Sequence, residues 1–241
     1  MFPREFDPAN PELMDRPQPV SRELEVDLTN LVGINRHFGS HRLVRRFLQR
    51  WWRAGESYRV LDLCTASGDI PRLMVDWARA RGIGVQIAAV DYQASTLEIA
   101  RGLSAGYPEI TFREGNALEI SGGAGEYDFV FCSLALHHFA EGDAVRVLRR
   151  CRELARCAVL VADLERSRLA QIGVWLLTAV LYREPMTRYD ARISVRRAFS
   201  YGGLAALARQ AGWEDFKQAR FPVARQAVWI ELPAERRQAR P

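Results

Sequence analysis

A short apolar run that ends in small residues constrains the fold of this chain more than any other segment. Residues 60–63 (VLDL) are followed by the small residues 64–68 (CTASG), and a helix is predicted to begin at Asp69. A strand, a tight turn and a helix N-terminus leave free backbone N–H groups at the turn, and these suit a polar ligand. The segment therefore predicts the first unit of an α/β fold with a ligand site at its turn.

A second strand-like run supplies an acid at the distance that such a site needs. Residues 85–90 end in Asp91, which lies 23 residues after Gly68. An acid at the tip of the second strand is placed to accept hydrogen bonds from a ribose, so an adenosine-type cofactor is predicted across the carboxyl ends of a parallel sheet. Close packing alone would explain the small residues if Asp91 were absent. The turn has one glycine where the dinucleotide fingerprint needs three, which disfavours a nicotinamide cofactor.

The charge pattern raises the question of a nucleic-acid partner. The chain has 34 basic and 29 acidic residues, a net charge of +5, and Lys217 is its only lysine. Arginine pairs well with phosphate. The arginines are nevertheless interleaved with acids along the whole chain, which indicates a solvated surface. No nucleic-acid partner is expected.

Cysteine usage and the apolar runs indicate the cellular compartment in which the protein is expected. The four cysteines form no C-x-x-C pair, so we expect small core residues in a reduced environment, and no metal site is predicted. The N-terminal residues lack the apolar core of a signal peptide. The apolar run at 169–181 is too short to span a bilayer. A cytoplasmic protein without a transmembrane segment is expected.

Two regions are predicted. Residues 1–57 form an N-terminal arm, with five prolines in its first 20 residues, and a lid of two helices that break at residues 34–38, between Gly33 and Gly39. Residues 58–241 form a catalytic domain with inserted helices at about 166–211. Alternating strands and helices in this domain imply a mostly parallel, doubly wound α/β sheet with helices on both faces. The last two of its seven strands, 214–221 and 225–232, are expected to form an antiparallel C-terminal hairpin.

Residues 58–232 resemble the class I S-adenosylmethionine-dependent methyltransferases, which have a Rossmann-like fold. Cys64, Ala66 and Gly68 stand at the three customary glycine positions of that family's first loop. The resemblance implies S-adenosylmethionine as cofactor, with the acid after the second strand on the ribose and its neighbour on the adenine. The cofactor-binding residues that it implies are Asp62, Cys64, Ala66, Gly68, Asp91, Tyr92, Asn116, Ala117 and Ser133.

The segment YDFVFCSLALHHF at 127–139 resembles the fourth motif of the family. Its His-His pair is typical of small-molecule members such as the ubiquinone and menaquinone C-methyltransferases. The Asn/Asp-Pro-Pro-Tyr signature of members that methylate amino groups of nucleic acids and proteins is absent. Segments 14–17, 34–36, 163–167 and 194–199 also resemble a bacterial branch that often accompanies polyketide or quinone-type biosynthesis.

Candidates for chemistry follow from these motifs. If the acceptor is a phenol or an activated carbon, a base must remove a proton, and histidine suits that near neutral pH. The catalytic candidates are His137, His138 and, from the lid, His37. The alternative for each is a structural histidine. Substrate-binding candidates, which surface salt bridges would equally explain, are Arg36, Arg188 and Arg197.

The predicted function is methyl transfer from S-adenosylmethionine to oxygen or carbon of a small phenolic, quinone-like or polyketide-derived acceptor. Two alternatives stay open: an RNA methyltransferase, and a non-catalytic protein that retains the fold. The apolar helix at 169–182 is expected to be core or a homodimer contact, with a pocket wall or a membrane contact as the alternatives.

Overall fold

The computed structural model describes residues 3–233. Residues 1–2 and 234–241, which belong to the predicted arm and catalytic domain, lie outside the described part. The strands are β1 (Ser57–Leu63), β2 (Gly84–Asp91), β3 (Ile110–Glu114), β4 (Tyr127–Ser133), β5 (Ala155–Leu164), β6 (Lys217–Phe221) and β7 (Arg225–Glu231). The helices are α1 (Arg22–His37), α2 (Ser40–Trp51), α3 (Asp69–Arg79), α4 (Ala94–Leu103), α5 (Glu141–Leu154), α6 (Arg168–Leu181), α7 (Pro185–Arg197) and α8 (Tyr201–Gln210).

All seven strands form one sheet in the order β3-β2-β1-β4-β5-β7-β6. The first five strands are parallel, and β7 runs antiparallel to both β5 and β6. The prediction of a doubly wound sheet with a closing antiparallel hairpin is confirmed. The strand order reverses between β1 and β4, so their carboxyl ends open a crevice at the position where α/β sheets bind ligands.

The sheet lies between two layers of helices, and apolar side chains on both of its faces pack against them. Leu61 and Leu63 of β1 pack on the face covered by α5 and α8. Val60 of β1 and Phe131 of β4 pack on the opposite face, which α2 and α3 cover. Because parallel strands buried on both faces need apolar side chains throughout, this sheet explains the continuous apolar runs of the sequence.

The predicted break between the first two helices is wrong in its position. Helix α1 continues through residues 34–37, and Gly33 lies within it. A single glycine costs a helix only about 1 kcal/mol, which packing offsets. The chain turns instead at Gly39, whose φ of 98° lies in the left-handed region that favours glycine.

Helix α7 lies within the region of about 166–211 where inserted helices were predicted, but its own bounds do not follow from the sequence. Its buried stripe is polar, so it lacks the apolar periodicity by which helices are identified in a sequence. Proline at its first position was the available signal. The buried side chains of the stripe, spaced as one helical face, are Thr187, Asp190, Ser194 and Arg197.

The apolar helix α6 contributes to the core mainly through Ala170, which packs with Val195 and Ala198, so the first of its predicted roles holds for only a small part of the helix. Val180 is 80% exposed and Ile172 is 58% exposed on its outer side. Its inner side, with Val174 and Leu177, faces a cavity. In the described part of the chain, no helix combines the length and apolarity that crossing a bilayer requires.

Candidate active site

A cavity of about 890 Å³ lies over the carboxyl ends of β1, β2 and β4. Loops after these strands form its floor, which we call the cofactor side. The arm (residues 3–20), α1, α6 and α7 form its roof, which we call the cap. The cavity is large enough for two small molecules, and the predicted cofactor loops all open into it.

The loop after β1 is held in an unusual backbone conformation. Cys64, Ala66 and Gly68 have φ values of 57°, 46° and 72°, so all three customary glycine positions are left-handed. At Gly68 a Cβ would lie 2.8 Å from the Phe112 ring, so any other residue there would have to displace that ring and adopt a left-handed backbone. Thr65 donates its N–H to the carbonyl of Val90, which fixes the loop against β2.

Asp91 braces the same loop from the end of β2. Its carboxylate accepts hydrogen bonds from the Ala66 N–H at 2.8 Å and from the Gln93 N–H at 3.1 Å. Burial raises the pKa of Asp91, while these two N–H donors act in the opposite direction. The carboxylate lines the cavity, where it can also receive ribose hydroxyls.

Three polar groups beside the loop fit a bound polar cofactor. Asp62 is buried in β1, and burial raises its pKa to about 8. The Ser133 and Thr96 hydroxyls are buried and have no hydrogen-bond partner among the described residues. Since buried polar groups are normally satisfied, these two hydroxyls at the cavity surface indicate a ligand with hydrogen-bonding groups.

The predicted adenine contacts lie at the outer part of the cofactor side. Tyr92 is 51% exposed, and its hydroxyl donates to the carbonyl of Asp15 at 2.9 Å. The side-chain oxygen of Asn116 accepts from the N–H of Leu118, which shapes the loop after β3. Ala117 is buried and lines the cavity.

The part of the cavity beneath the cap is mainly apolar. Leu31 and Ile34 of α1 face Val174 and Leu177 of α6 across it. The described cavity thus joins a polar floor that suits a nucleoside to an apolar roof that suits an aromatic or aliphatic molecule.

The His-His pair lies between these two parts on a 3₁₀ turn, Leu136–His138. Nδ1 of His137 lies 2.7 Å from Asp163 Oδ1, and Nδ1 of His138 lies 2.6 Å from Asp15 Oδ2. Their Nε2 atoms lie 3.4 Å and 3.7 Å from a single oxygen, Oε1 of Glu12. Each imidazole is therefore held by one carboxylate and points toward another.

Burial and carboxylates act in opposite directions on these groups. Burial alone lowers the pKa of His138, but Asp15 and Glu12 raise it well above its ordinary value. The pKa of His137 is raised by Asp163 against the same effect of burial. Burial raises the pKa of Glu12, but the two imidazoles lower it by more than burial raises it. The net pKa lies below its ordinary value, so this carboxyl is ionised at neutral pH.

Hydrogen bonds from α7 hold the arm over the histidines. The carboxylate of Asp190 accepts from the N–H of Leu13 at 2.6 Å and from that of Met14 at 3.0 Å. Ser194 donates its hydroxyl to Oε1 of Glu12 at 2.7 Å. Arg197 donates to the carbonyls of residues 7 and 10. The buried polar stripe of α7 is thus explained by the arm that it binds.

Four predicted site residues do not line the cavity, and the first of them, Gly68, lies against the Phe112 ring. Arg36 and His37 are exposed at the end of α1, because Ile34 and Asn35 occupy the side of the helix that faces the cavity. Arg188 lies in a separate surface groove between the arm and α7. Arg197 does line the cavity, although its guanidinium is engaged by the arm.

Four acidic residues of the site were not among the predicted site residues: Glu12, Asp15, Asp163 and Asp190. Two of them stand in segments, 14–17 and 163–167, that resemble a bacterial branch of small-molecule methyltransferases, and this was the available signal. Asp163 and Asp15 pair with histidines that are 26 and 123 positions away, and Asp190 binds the arm 177 positions away. No local pattern in the sequence reveals such pairs.

Comparisons with known proteins agree on the family. Residues 60–157 match the model of the methyltransferase domain family. Over 191 residues the chain is 27% identical to a 2-phytyl-1,4-naphtoquinone methyltransferase of Thermosynechococcus vestitus, an alignment that covers 75% of this chain and 83% of the relative. The protein of the same name from Trichormus variabilis is 28% identical over 173 residues, which cover 68% of this chain and 70% of the relative.

Solved structures share the fold at low identity. A SAM-dependent methyltransferase from Aquifex aeolicus superposes with a TM-score of 0.60 at 13% identity, covering 86% of this chain and 97% of the other. Human N-acetylserotonin methyltransferase in complex with SAM has a TM-score of 0.60 at 16% identity, covering 85% of this chain and 54% of the other.

Proposed function

Because this chain belongs to the class I S-adenosylmethionine-dependent methyltransferases, we propose that it methylates an oxygen or a carbon of a small phenolic, quinone-like or polyketide-derived acceptor. The relatives named for a phytyl-naphthoquinone support the quinone-like class. The observation that carries the proposal is the single cavity in which a polar floor meets an apolar roof, with the histidine pair between them.

The cofactor side has the features that S-adenosylmethionine needs. We propose that Asp91 receives the ribose hydroxyls and that Tyr92 and Asn116 contact the adenine. The other predicted residues, Asp62, Cys64, Ala66, Gly68, Ala117 and Ser133, then shape the rest of the cofactor site. Bound there, S-adenosylmethionine supplies a methyl group already activated by its positive sulfur.

The residues of the chain have mainly to position the acceptor and exclude water. Correct orientation of two reactants can contribute about 7–11 kcal/mol toward lowering a barrier. The apolar side chains of α1 and α6 hold the body of the acceptor, and His137 and His138 face its reacting group. Arg197 is the predicted substrate residue that remains in this proposal, since Arg36, Arg188 and His37 lie outside the cavity.

The finer predictions on partners and compartment belong to the same proposal. We propose a cytoplasmic enzyme without a nucleic-acid partner. Its arginines pair with acids on the surface, as Arg79 does with Glu109 at 2.7 Å and Arg50 with Glu231 at 2.6 Å, which disfavours a phosphate-binding face. The exposed outer side of α6 supports a homodimer, because oligomer interfaces use apolar surfaces of this kind.

Calorimetric titration with S-adenosylmethionine and S-adenosylhomocysteine tests the proposal. We expect binding in the wild type and a loss of about 10- to 100-fold in Asp91→Ala, because the lost bonds involve a charged acceptor. Glu98→Ala, an exposed acid on α4, is the matched control and should bind as the wild type does. Quinols and phenols are then screened for methyl transfer. Absence of cofactor binding in the wild type would favour the non-catalytic alternative.

A further inference from the structure

Glu12, His137 and His138 bring three metal-ligand atoms to one point of the cavity wall. The carboxylate oxygen and the two ring nitrogens all lie within 4.8 Å of one another. Two histidines and one carboxylate are a donor set that proteins use for divalent transition metals such as Zn²⁺ and Fe²⁺. All three residues line the cavity.

The spacing of these atoms fits a metal ion. Bonds of 2.0–2.2 Å in tetrahedral arrangement would separate pairs of ligands by about 3.4 Å. Oε1 of Glu12 lies 3.4 Å from Nε2 of His137 and 3.7 Å from Nε2 of His138. Two of the three separations are therefore close to the tetrahedral value, and all three atoms lie within 4.8 Å of one another.

A second set of contacts orients the ligands in the way that metal sites require. Asp163 holds Nδ1 of His137 and Asp15 holds Nδ1 of His138, which leaves both Nε2 atoms directed at Glu12. A carboxylate on the second nitrogen is the usual partner of a metal-binding histidine. The Ser194 hydroxyl likewise fixes the ligand oxygen of Glu12.

One ligand atom has only a long contact with another ligand of the set. The side chain of His137 is 3% exposed, and its Nε2 makes no hydrogen bond of good geometry among the described residues, although Oε1 of Glu12 lies 3.4 Å away. A buried ring nitrogen without a well-formed hydrogen bond is stabilised when an ion binds it. Three carboxylates also surround the two imidazoles, so the cluster attracts a cation.

We propose that Glu12, His137 and His138 form a binding site for one divalent transition-metal ion. Three protein ligands leave a further coordination position, and the cavity gives a small oxygen donor access to it. This site goes beyond the proposed function and stands or falls independently of it. The sequence predicted no metal site because the arm ligand lies 125 residues from the nearer histidine.

Titration of the chelator-treated full chain with Co²⁺ tests the site. We expect one Co²⁺ per chain, with absorption bands typical of four- or five-coordination and displacement by Zn²⁺. Glu12→Gln and His137→Gln should each weaken binding at least about 100-fold, since loss of a mere orienting partner already costs 10- to 100-fold. The matched control is His37→Gln, an exposed histidine outside the cavity, which should bind Co²⁺ as the wild type does.

Two further measurements keep the test decisive. Circular dichroism establishes that each variant is folded, and X-ray absorption of the Zn²⁺-loaded wild type counts two imidazole ligands without any variant. Absence of stoichiometric Co²⁺ binding, or affinity unchanged in Glu12→Gln, overturns the site. Titration with S-adenosylmethionine in the presence of chelator reports separately on the proposed function.

Discussion

The two sides of the cavity are held in place by different kinds of interaction. The cofactor side is set mainly by backbone. The register of β1 against β2 and the bond from the Thr65 N–H to the Val90 carbonyl fix the loop after β1, and the Asp91 carboxylate is the one side chain that braces it, by accepting from the Ala66 N–H. The cap is set by side chains. Asp190, Ser194 and Arg197 of α7 bind an arm that is nearly 180 residues or more distant in sequence.

This difference follows from what each side has to do. The cofactor side has to hold one nucleoside, and a loop whose backbone is fixed by the sheet gives that nucleoside a site of constant shape. An acceptor differs between enzymes, and polar contacts between an arm and a helix can change without disturbing the sheet. We therefore expect substitutions in the sheet to affect the whole fold, and substitutions in the cap to act locally.

The largest expected effect compares a phenylalanine from each region. Phe131 is fully buried in the centre of the sheet, so Phe131→Ala should lower the free energy of unfolding by about 3–5 kcal/mol. Phe6 of the arm is half-buried beneath the guanidinium groups of Arg4 and Arg197, and Phe6→Ala should cost only about 1 kcal/mol. Urea unfolding measures both.

Equal losses in the two variants would contradict the comparison, because they would show that the arm folds as one cooperative unit with the sheet. Hydrogen exchange sharpens the same test. In Phe6→Ala the N–H groups of Leu13 and Met14 should exchange faster, while those of β4 keep the protection of the wild type.

A buried carboxyl makes the cofactor side sensitive to pH. Burial raises the pKa of Asp62 to about 8 in the folded chain, against 3.8 ordinarily. The folded state therefore binds the proton more tightly than the unfolded state, and this contribution to stability, complete below about pH 4, is lost as the pH rises toward 8. Each pH unit corresponds to about 1.4 kcal/mol.

Asp62→Asn tests this pH dependence, since the amide has nearly the same shape and does not ionise. Between pH 6 and 8 the wild type should lose about 2 kcal/mol more of its free energy of unfolding than Asp62→Asn does. Asp143→Asn, an exposed acid on α5, is the control and should follow the wild type. Parallel curves for the wild type and Asp62→Asn would show that Asp62 is already ionised.

The same contrast explains what the sequence could predict. The mostly parallel sheet with its closing hairpin, the loop after β1 and the position of Asp91 follow from local patterns of periodicity and spacing. Helix α7 and its contacts with the arm do not, because the buried face of the helix is polar. The buried carboxylate of Asp190 is stabilised by hydrogen bonds from the N–H groups of Leu13 and Met14. No sequence pattern near residue 190 predicts these partners.

The smallest expected effect concerns Ala66, whose left-handed backbone lowers the free energy of unfolding. An L-residue with a Cβ is less stable there by roughly 1–2 kcal/mol, whereas glycine adopts this conformation freely. Ala66→Gly should therefore raise the free energy of unfolding by about 0.5–1 kcal/mol, once the greater freedom of glycine in the unfolded chain is subtracted. The substitution should not weaken the binding of S-adenosylmethionine, because it only removes a methyl group from the cavity wall. Ala206→Gly, within α8, is the matched control and should lose about 1 kcal/mol. If Ala66→Gly and Ala206→Gly lose the same stability, the left-handed backbone at Ala66 carries no strain. The proposed difference between the loop and the cap would then be wrong.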